Sequence, residues 1–129
     1  VRNAHKTENT EDYLELIADL LNKNGEARIV DIANKLNIAQ ATANKTIKRL
    51  QSQGYINKEP YRSIFLTMKG QKIASYSKNR HNTVYNFLLN LGLDTKTAEV
   101  DSEGIEHHVS KKTLKKMERF NKIKKNKLH

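Results

Sequence analysis

The chain contains no cysteine. Disulfides, thiolate metal sites and thiol nucleophiles are therefore excluded. It contains one proline, Pro60, whose missing N–H suits a turn tip and not a strand interior. No apolar run approaches the ~20 residues that a membrane-spanning helix needs, and the N-terminal stretch has no apolar signal region. A soluble cytoplasmic protein with no membrane partner is expected. Acid is scarce, with 14 Asp and Glu against 24 Lys and Arg in 129 residues, a formal net charge of +10. The scarcity is uneven. From Lys111 to Lys127 nine cations accompany Glu118 alone, so this segment carries +8 of the total. The rest is nearly neutral. The high pI is compatible with nucleic-acid attraction, but a solvated basic tail is the commoner explanation. The length allows one ordinary domain or two very small ones, and too little core for a large enzyme.

The apolar pattern predicts a mostly α protein. Residues 1–9 are polar and unpatterned, and a helix is expected after Asn9 or Thr10, either of which can cap it. Tyr13, Leu14, Ile17, Leu20 and Leu21 repeat at helical spacing up to Asn24-Gly25. A short helix within 27–36 turns Ile32, Ala33 and Leu36 inward. After the tight connection Asn37-Ile38-Ala39, a second helix runs from Gln40 to Gln53 with Ala43, Ile47 and Leu50 as its buried stripe. Short helix, tight turn and longer helix form a helix-turn-helix pattern. The second helix has no acid, and its exposed side carries Gln40, Thr42, Asn44, Lys45, Lys48 and Arg49. Amides and hydroxyls can read base edges, and cations can reach phosphates.

Tyr55–Lys58 and Ser63–Leu66 have strand character, joined through Glu59-Pro60-Tyr61-Arg62. A hairpin placed directly after a helix-turn-helix is a wing, and Arg62 and Lys58 are its candidate backbone contacts. An ordinary solvated hairpin would read the same way. Thr67 can cap a long helix over about 68–91, with Ile73, Ala74, Ser77, His81, Val84, Tyr85, Leu88 and Leu91 on one side. Asp94 or Thr95 can cap the next helix, and Ser110 a last one with Leu114, Met117, Phe120 and Ile123 inward. Together with Val84, Phe87, Leu88 and Leu91 these make more apolar surface than so small a second half can bury. A homodimer interface would cover it.

Glu103-Gly104-Ile105-Glu106-His107-His108 stands out in a basic protein. Glu103, Glu106 and His107 stand at i, i+3 and i+4, on one helical face, and no Lys or Arg falls between Val100 and Ser110. Converging oxygen and nitrogen ligands without a neighbouring cation fit a divalent metal site. A solvated acidic helix end fits them about as well. Asp12 and Glu15 also share one side of the first helix, where the helix dipole by itself favours acids.

Taken in order, Glu11-Asp12-Tyr13-Leu14-Glu15, Glu26-Ala27-Arg28, Asp31-Ile32-Ala33, Lys45-Thr46-Ile47, Tyr61-Arg62, Arg80-His81 and the Glu103–His108 segment resemble the diphtheria-toxin-repressor family, and within it the manganese-responsive branch. The match runs from Thr10 to Phe120. The resemblance implies a winged helix-turn-helix DNA-binding domain over 1–70 with a two-stranded wing, and a helical metal-binding and dimerisation domain over 71–129. It implies metal ligands at Asp12, Glu15, His81, Glu103, Glu106 and His107, with two Mn²⁺ ions per subunit and other divalent transition metals as alternatives. The iron-responsive branch has a methionine and a cysteine where Asp12 and Glu103 stand, and two hard oxygens there suit Mn²⁺. His108 has no role in this comparison.

The resemblance implies a manganese-activated repressor that binds double-stranded operator DNA as a homodimer, acts on manganese transport genes and takes no small organic substrate. Two alternatives are a metal-independent winged-helix protein and a small dinuclear hydrolase. Two residues depart from the family pattern. Ala39 replaces the small polar cap of the recognition helix, and Ala43 is smaller than the usual branched core residue, which leaves room for a void.

Overall fold

The computed structural model describes residues 2–60 and 63–127. The chain divides into two compact units, Val1–Ser77 and Lys78–His129. Within the first, the elements are α1 (Arg2–Asn24), α2 (Ile29–Leu36), α3 (Gln40–Ser52), β1 (Ile56–Lys58), β2 (Ile64–Leu66) and the start of α4 (Met68–Asn90). The second holds the rest of α4, α5 (Thr95–Glu106) and α6 (Lys111–Lys127). The boundary thus falls inside one continuous helix.

Helix α1 starts at Arg2, well before the Asn9-Thr10 start expected from the sequence. No glycine or proline interrupts this stretch, so nothing local stops the helix at Thr10. Tyr13, Leu14, Ile17 and Leu20 form its buried stripe, meeting Ile32 and Ala33 of α2 and Ala43, Ile47 and Leu50 of α3. The α2–α3 turn depends on Asn37, which takes a left-handed conformation (φ 56°) and closes α2. Asparagine tolerates that region better than other non-glycine residues. Helix α3 opens on Ala39 with no side-chain cap, as its lack of a polar atom requires.

The hairpin is antiparallel, with Ile56 opposite Leu66, Asn57 opposite Phe65 and Lys58 opposite Ile64. Ile56 and Ile64 point into the core while Phe65 is exposed, the alternation of a sheet with one buried face. Ala27 completes the outer edge of β2. Its carbonyl accepts from Ile64 N at 2.8 Å, and its amide donates to Ser63 Oγ at 2.7 Å. The wing tip expected at Tyr61-Arg62 lies outside the described residues.

Thr67 caps α4 as expected, accepting from Gly70 N at 3.1 Å. The Thr67 amide also donates to the Tyr55 carbonyl at 3.0 Å, and its hydroxyl lies 2.7 Å from the Gly54 carbonyl and 3.0 Å from that of Tyr55. This tie brings the helix so close to the strand that a Cβ on Gly70 would stand 2.1 Å from Tyr55 O.

In the second unit, Val84, Leu88, Ala98 and Leu114 form a small core, with Phe87 edge-on to Phe120 at 5.3 Å. Asn121 binds the Thr83 carbonyl at 3.0 Å and accepts from Asn90 at 2.9 Å. Asp94 caps α5, accepting from Thr97 N at 3.1 Å and from Thr97 Oγ1 at 2.7 Å. Those bonds, the hydroxyl first, hold the Asp94 carboxyl below its ordinary value of 3.8. Ser110 caps α6, accepting from Thr113 N at 3.1 Å. Leu91 (58% exposed) and Ile123 (48%) stay outside this core, as a surplus of apolar surface in the second half implies. Each lies near the end of its helix, where the small core has run out of partners.

Candidate metal centre and nucleic-acid interface

The proposed metal ligands fall into one group in each unit. On α1, Asp12 is exposed and Glu15 half-buried. Ser77 of α4, 1% exposed, donates its hydroxyl to Glu15 Oε2 at 3.1 Å. A buried hydroxyl needs such a partner, and the bond fixes the Glu15 carboxylate. Sequence periodicity placed Ser77 on the inward stripe but gave no sign of its partner, which is 62 positions away.

In the second unit Glu106 is the pivot. It is 5% exposed, and its Oε2 stands 2.6 Å from His81 Nδ1 while its Oε1 stands 3.5 Å from His107 Nε2. A carboxylate accepts, so His81 Nδ1 donates in the shorter contact. In the neutral ring this leaves the Nε2 lone pair as a metal-binding atom. His81 also stacks on Tyr85, with the rings at 7° and centroids 6.1 Å apart. The last turn separates the acidic segment. Helix α5 ends at Glu106, His107 takes the cap position, and Glu103 and His108 are exposed. The three residues expected on one face therefore occupy different environments, with Glu106 inward, His107 at the margin and Glu103 in solvent.

Among the described residues, no three Asp, Glu or His side chains stand close enough together to hold an ion. The donor chemistry nevertheless fits a divalent cation. A nearly buried carboxylate stands against two imidazoles, a set of oxygen and nitrogen donors. Burying a carboxylate is costly unless a positive or hydrogen-bonding group is placed against it.

On α3, Gln40, Thr42, Lys45 and Lys48 are exposed and Asn44 is half-buried. Arg49 is placed differently. Its Nη1 donates to Thr10 Oγ1 at 3.2 Å and Gln53 Oε1 at 3.0 Å, and its Nη2 donates to Asn9 Oδ1 at 3.1 Å. The guanidinium ties α3 to α1. Arg62 lies outside the described residues.

The profile of the iron-dependent repressor N-terminal DNA-binding domain matches residues 5–64, and that of the family's metal-binding and dimerisation domain matches residues 67–128. The chain belongs to the iron-dependent repressor family. Its curated relatives in that family include the transcriptional regulator MntR of Salmonella typhimurium, 51% identical over 88% of this chain and 73% of that protein. The MntR regulator of Lysinibacillus sphaericus is 38% identical over 81% of this chain and 75% of its own length. Among solved structures, the metal-dependent transcriptional regulator MtsR matches with a TM-score of 0.80 at 26% identity, covering 88% of this chain and 54% of that one. The IdeR of T. acidophilum matches with a TM-score of 0.74 at 28% identity, covering 85% and 53%. This chain spans about half of each of those two. The iron-dependent repressors are metal-responsive transcriptional regulators and not enzymes, which sets the hydrolase alternative aside. Among the described residues no helix is long and apolar enough to cross a membrane.

Proposed function

We propose that this protein is a manganese-responsive repressor that binds operator DNA as a homodimer and controls manganese transport genes. Its ligands are Asp12, Glu15, His81, Glu103, Glu106 and His107, taking two Mn²⁺ ions per subunit. The observation that carries this reading is Glu106, a nearly buried carboxylate with an imidazole against each of its oxygens. The half-identity to MntR regulators along most of the chain supports manganese as the ion.

The ligand set contains four carboxylates, whose mutual repulsion opposes their meeting without metal. Divalent ions supply the neutralising charge. Asp12 and Glu15 belong to the DNA-binding half, so satisfying them restricts how that half is held. In a dimer the two α3 helices then keep a spacing that fits successive major grooves. Gln40, Thr42, Asn44, Lys45 and Lys48 form the reading face, with Arg62 at the wing. Leu91, Leu93, Val100, Ile105 and Ile123 are exposed apolar side chains of the second unit, and a second subunit is their natural cover.

The test is duplex binding titrated with Mn²⁺, Fe²⁺, Co²⁺ and Zn²⁺, with a chelator control, using an operator selected from random sequence by the Mn²⁺-loaded protein. Mn²⁺-dependent binding that is lost in Asp12→Ala, with helicity retained, is the expected result. The alternative is a metal-independent winged-helix protein. Binding unaffected by chelator would establish that alternative.

A further inference from the structure

Helix α6 carries nine cations, Lys111 to Lys127, and every one is exposed. Among the described residues none of these side chains forms an ion pair or a hydrogen bond to another group. Its only acid, Glu118, is half-buried. Over the first three turns the charge works against the helix itself. Lys111–Lys115, Lys112–Lys116 and Lys115–Arg119 are like-charge pairs at i, i+4, which are unfavourable. The helix dipole accounts for Lys124, Lys125 and Lys127 in the last turn. It disfavours Lys111 and Lys112, which stand at the opposite end with no acid in the first turn. A merely solvated helix would be more stable with acids interleaved.

Five of the nine cations are also sorted to one side. At about 100° per residue, Lys111, Lys112, Lys115, Arg119 and Lys122 fall within an arc of roughly 100°. That arc lies opposite Leu114 and Met117, which pack into the core of the second unit. From Lys111 to Lys122 it extends about 16 Å, enough to run beside several phosphates of one strand.

We propose that this face of α6 is a second DNA-contacting surface, binding the phosphate backbone of the duplex without reading sequence. The inference rests on the DNA-binding reading of the first unit. A duplex held by α3 presents phosphates to the rest of the same protein at high local concentration, and the basic arc is complementary to them. Stable anchoring to an anionic membrane adds a buried apolar face to the charge, and the apolar residues opposite this arc, Leu114 and Met117, pack internally.

The test uses the Mn²⁺-loaded protein and a fluorescein-labelled duplex of about 30 base pairs, long enough to flank two half-sites one helical turn apart. Anisotropy gives log K against log salt between about 50 and 200 mM. In Lys115→Gln/Arg119→Gln/Lys122→Gln the slope should flatten by about 2–3, near 0.9 for each lost phosphate contact. A second variant, Lys23→Gln/Lys72→Gln/Lys96→Gln, removes the same net charge from exposed sites elsewhere and should keep the wild-type slope. The conservative Lys115→Arg/Lys122→Arg should keep it too. An unchanged slope in the α6 variant would overturn the proposal, as would an equal loss in the control, which would assign the effect to net charge alone. Failure of the wild type to bind any duplex would instead overturn the reading of the first unit, and this inference with it.

Discussion

Gly70→Ala should cripple the DNA-binding unit although it adds only one methyl group. The new Cβ would stand 2.1 Å from the Tyr55 carbonyl oxygen and 3.1 Å from its carbon. Both atoms are backbone, so no side chain can swing away. Restoring a normal contact requires about 1 Å of separation between the start of α4 and the strand connection. That movement breaks the bond from the Thr67 amide to Tyr55 O, 3.0 Å, and the one its hydroxyl shares between Gly54 O at 2.7 Å and Tyr55 O at 3.0 Å. Two such bonds contribute roughly 1 kcal/mol each, and overpacking adds about 1–3 kcal/mol. Alanine's better helix propensity returns up to about 1 kcal/mol. The net cost is about 2–4 kcal/mol, a fall in Tm on the order of 10–25 °C for a unit of this size. Thermal unfolding followed by circular dichroism, in chelator at fixed protein concentration, measures it. A Tm within about 3 °C of wild type, well under the shift for 1 kcal/mol, would refute the packing argument.

Three other outcomes follow from the structure. Arg49→Ala removes three hydrogen bonds, two of them to α1. It should lower stability by about 1–2 kcal/mol and leave the salt slope of DNA binding unchanged. A slope reduced by about 1 at unchanged stability would make Arg49 a phosphate contact instead. Ala39→Ser supplies the missing cap of α3 and should stabilise the first unit by about 0.5–2 kcal/mol in urea unfolding; no gain would mean that the Ala39 backbone cannot present the hydroxyl. The Asp94 carboxyl is held below 3.8 by Thr97. Its contribution to α5 is therefore complete above that pH and is lost as pH falls through the lower folded value. The Thr97 amide resonance should report that step, and in Asp94→Asn the step should disappear.

The elements whose signals are local were legible in the sequence. Ala43, Ile47 and Leu50 are spaced for one helical face and are all fully buried. Thr67, Asp94 and Ser110 can each satisfy a free N–H at a helix start, and each does so. What sequence could not supply were pairings distant in the chain. Ser63 with Ala27, Ser77 with Glu15 and Arg49 with Asn9 depend on how the helices and hairpin pack. Arg49 illustrates the difficulty. Its spacing groups it with Lys45 and Lys48, yet its long side chain reaches back to α1. The early start of α1 at Arg2 has no sequence signature, because polar residues without periodicity carry no burial signal. In the acidic segment, spacing grouped Glu103, Glu106 and His107, but the end of α5 at Glu106 left only Glu106 buried.

The central claim is that metal and operator bind distinct sites coupled through one protein, and such coupling is reciprocal. The measurement that tests it most directly is Mn²⁺ affinity, from the free-ion paramagnetic resonance signal, with and without a saturating selected operator duplex. The account predicts that operator tightens Mn²⁺ binding by the same factor by which Mn²⁺ tightens operator binding. An identical Mn²⁺ affinity in the two conditions would contradict it.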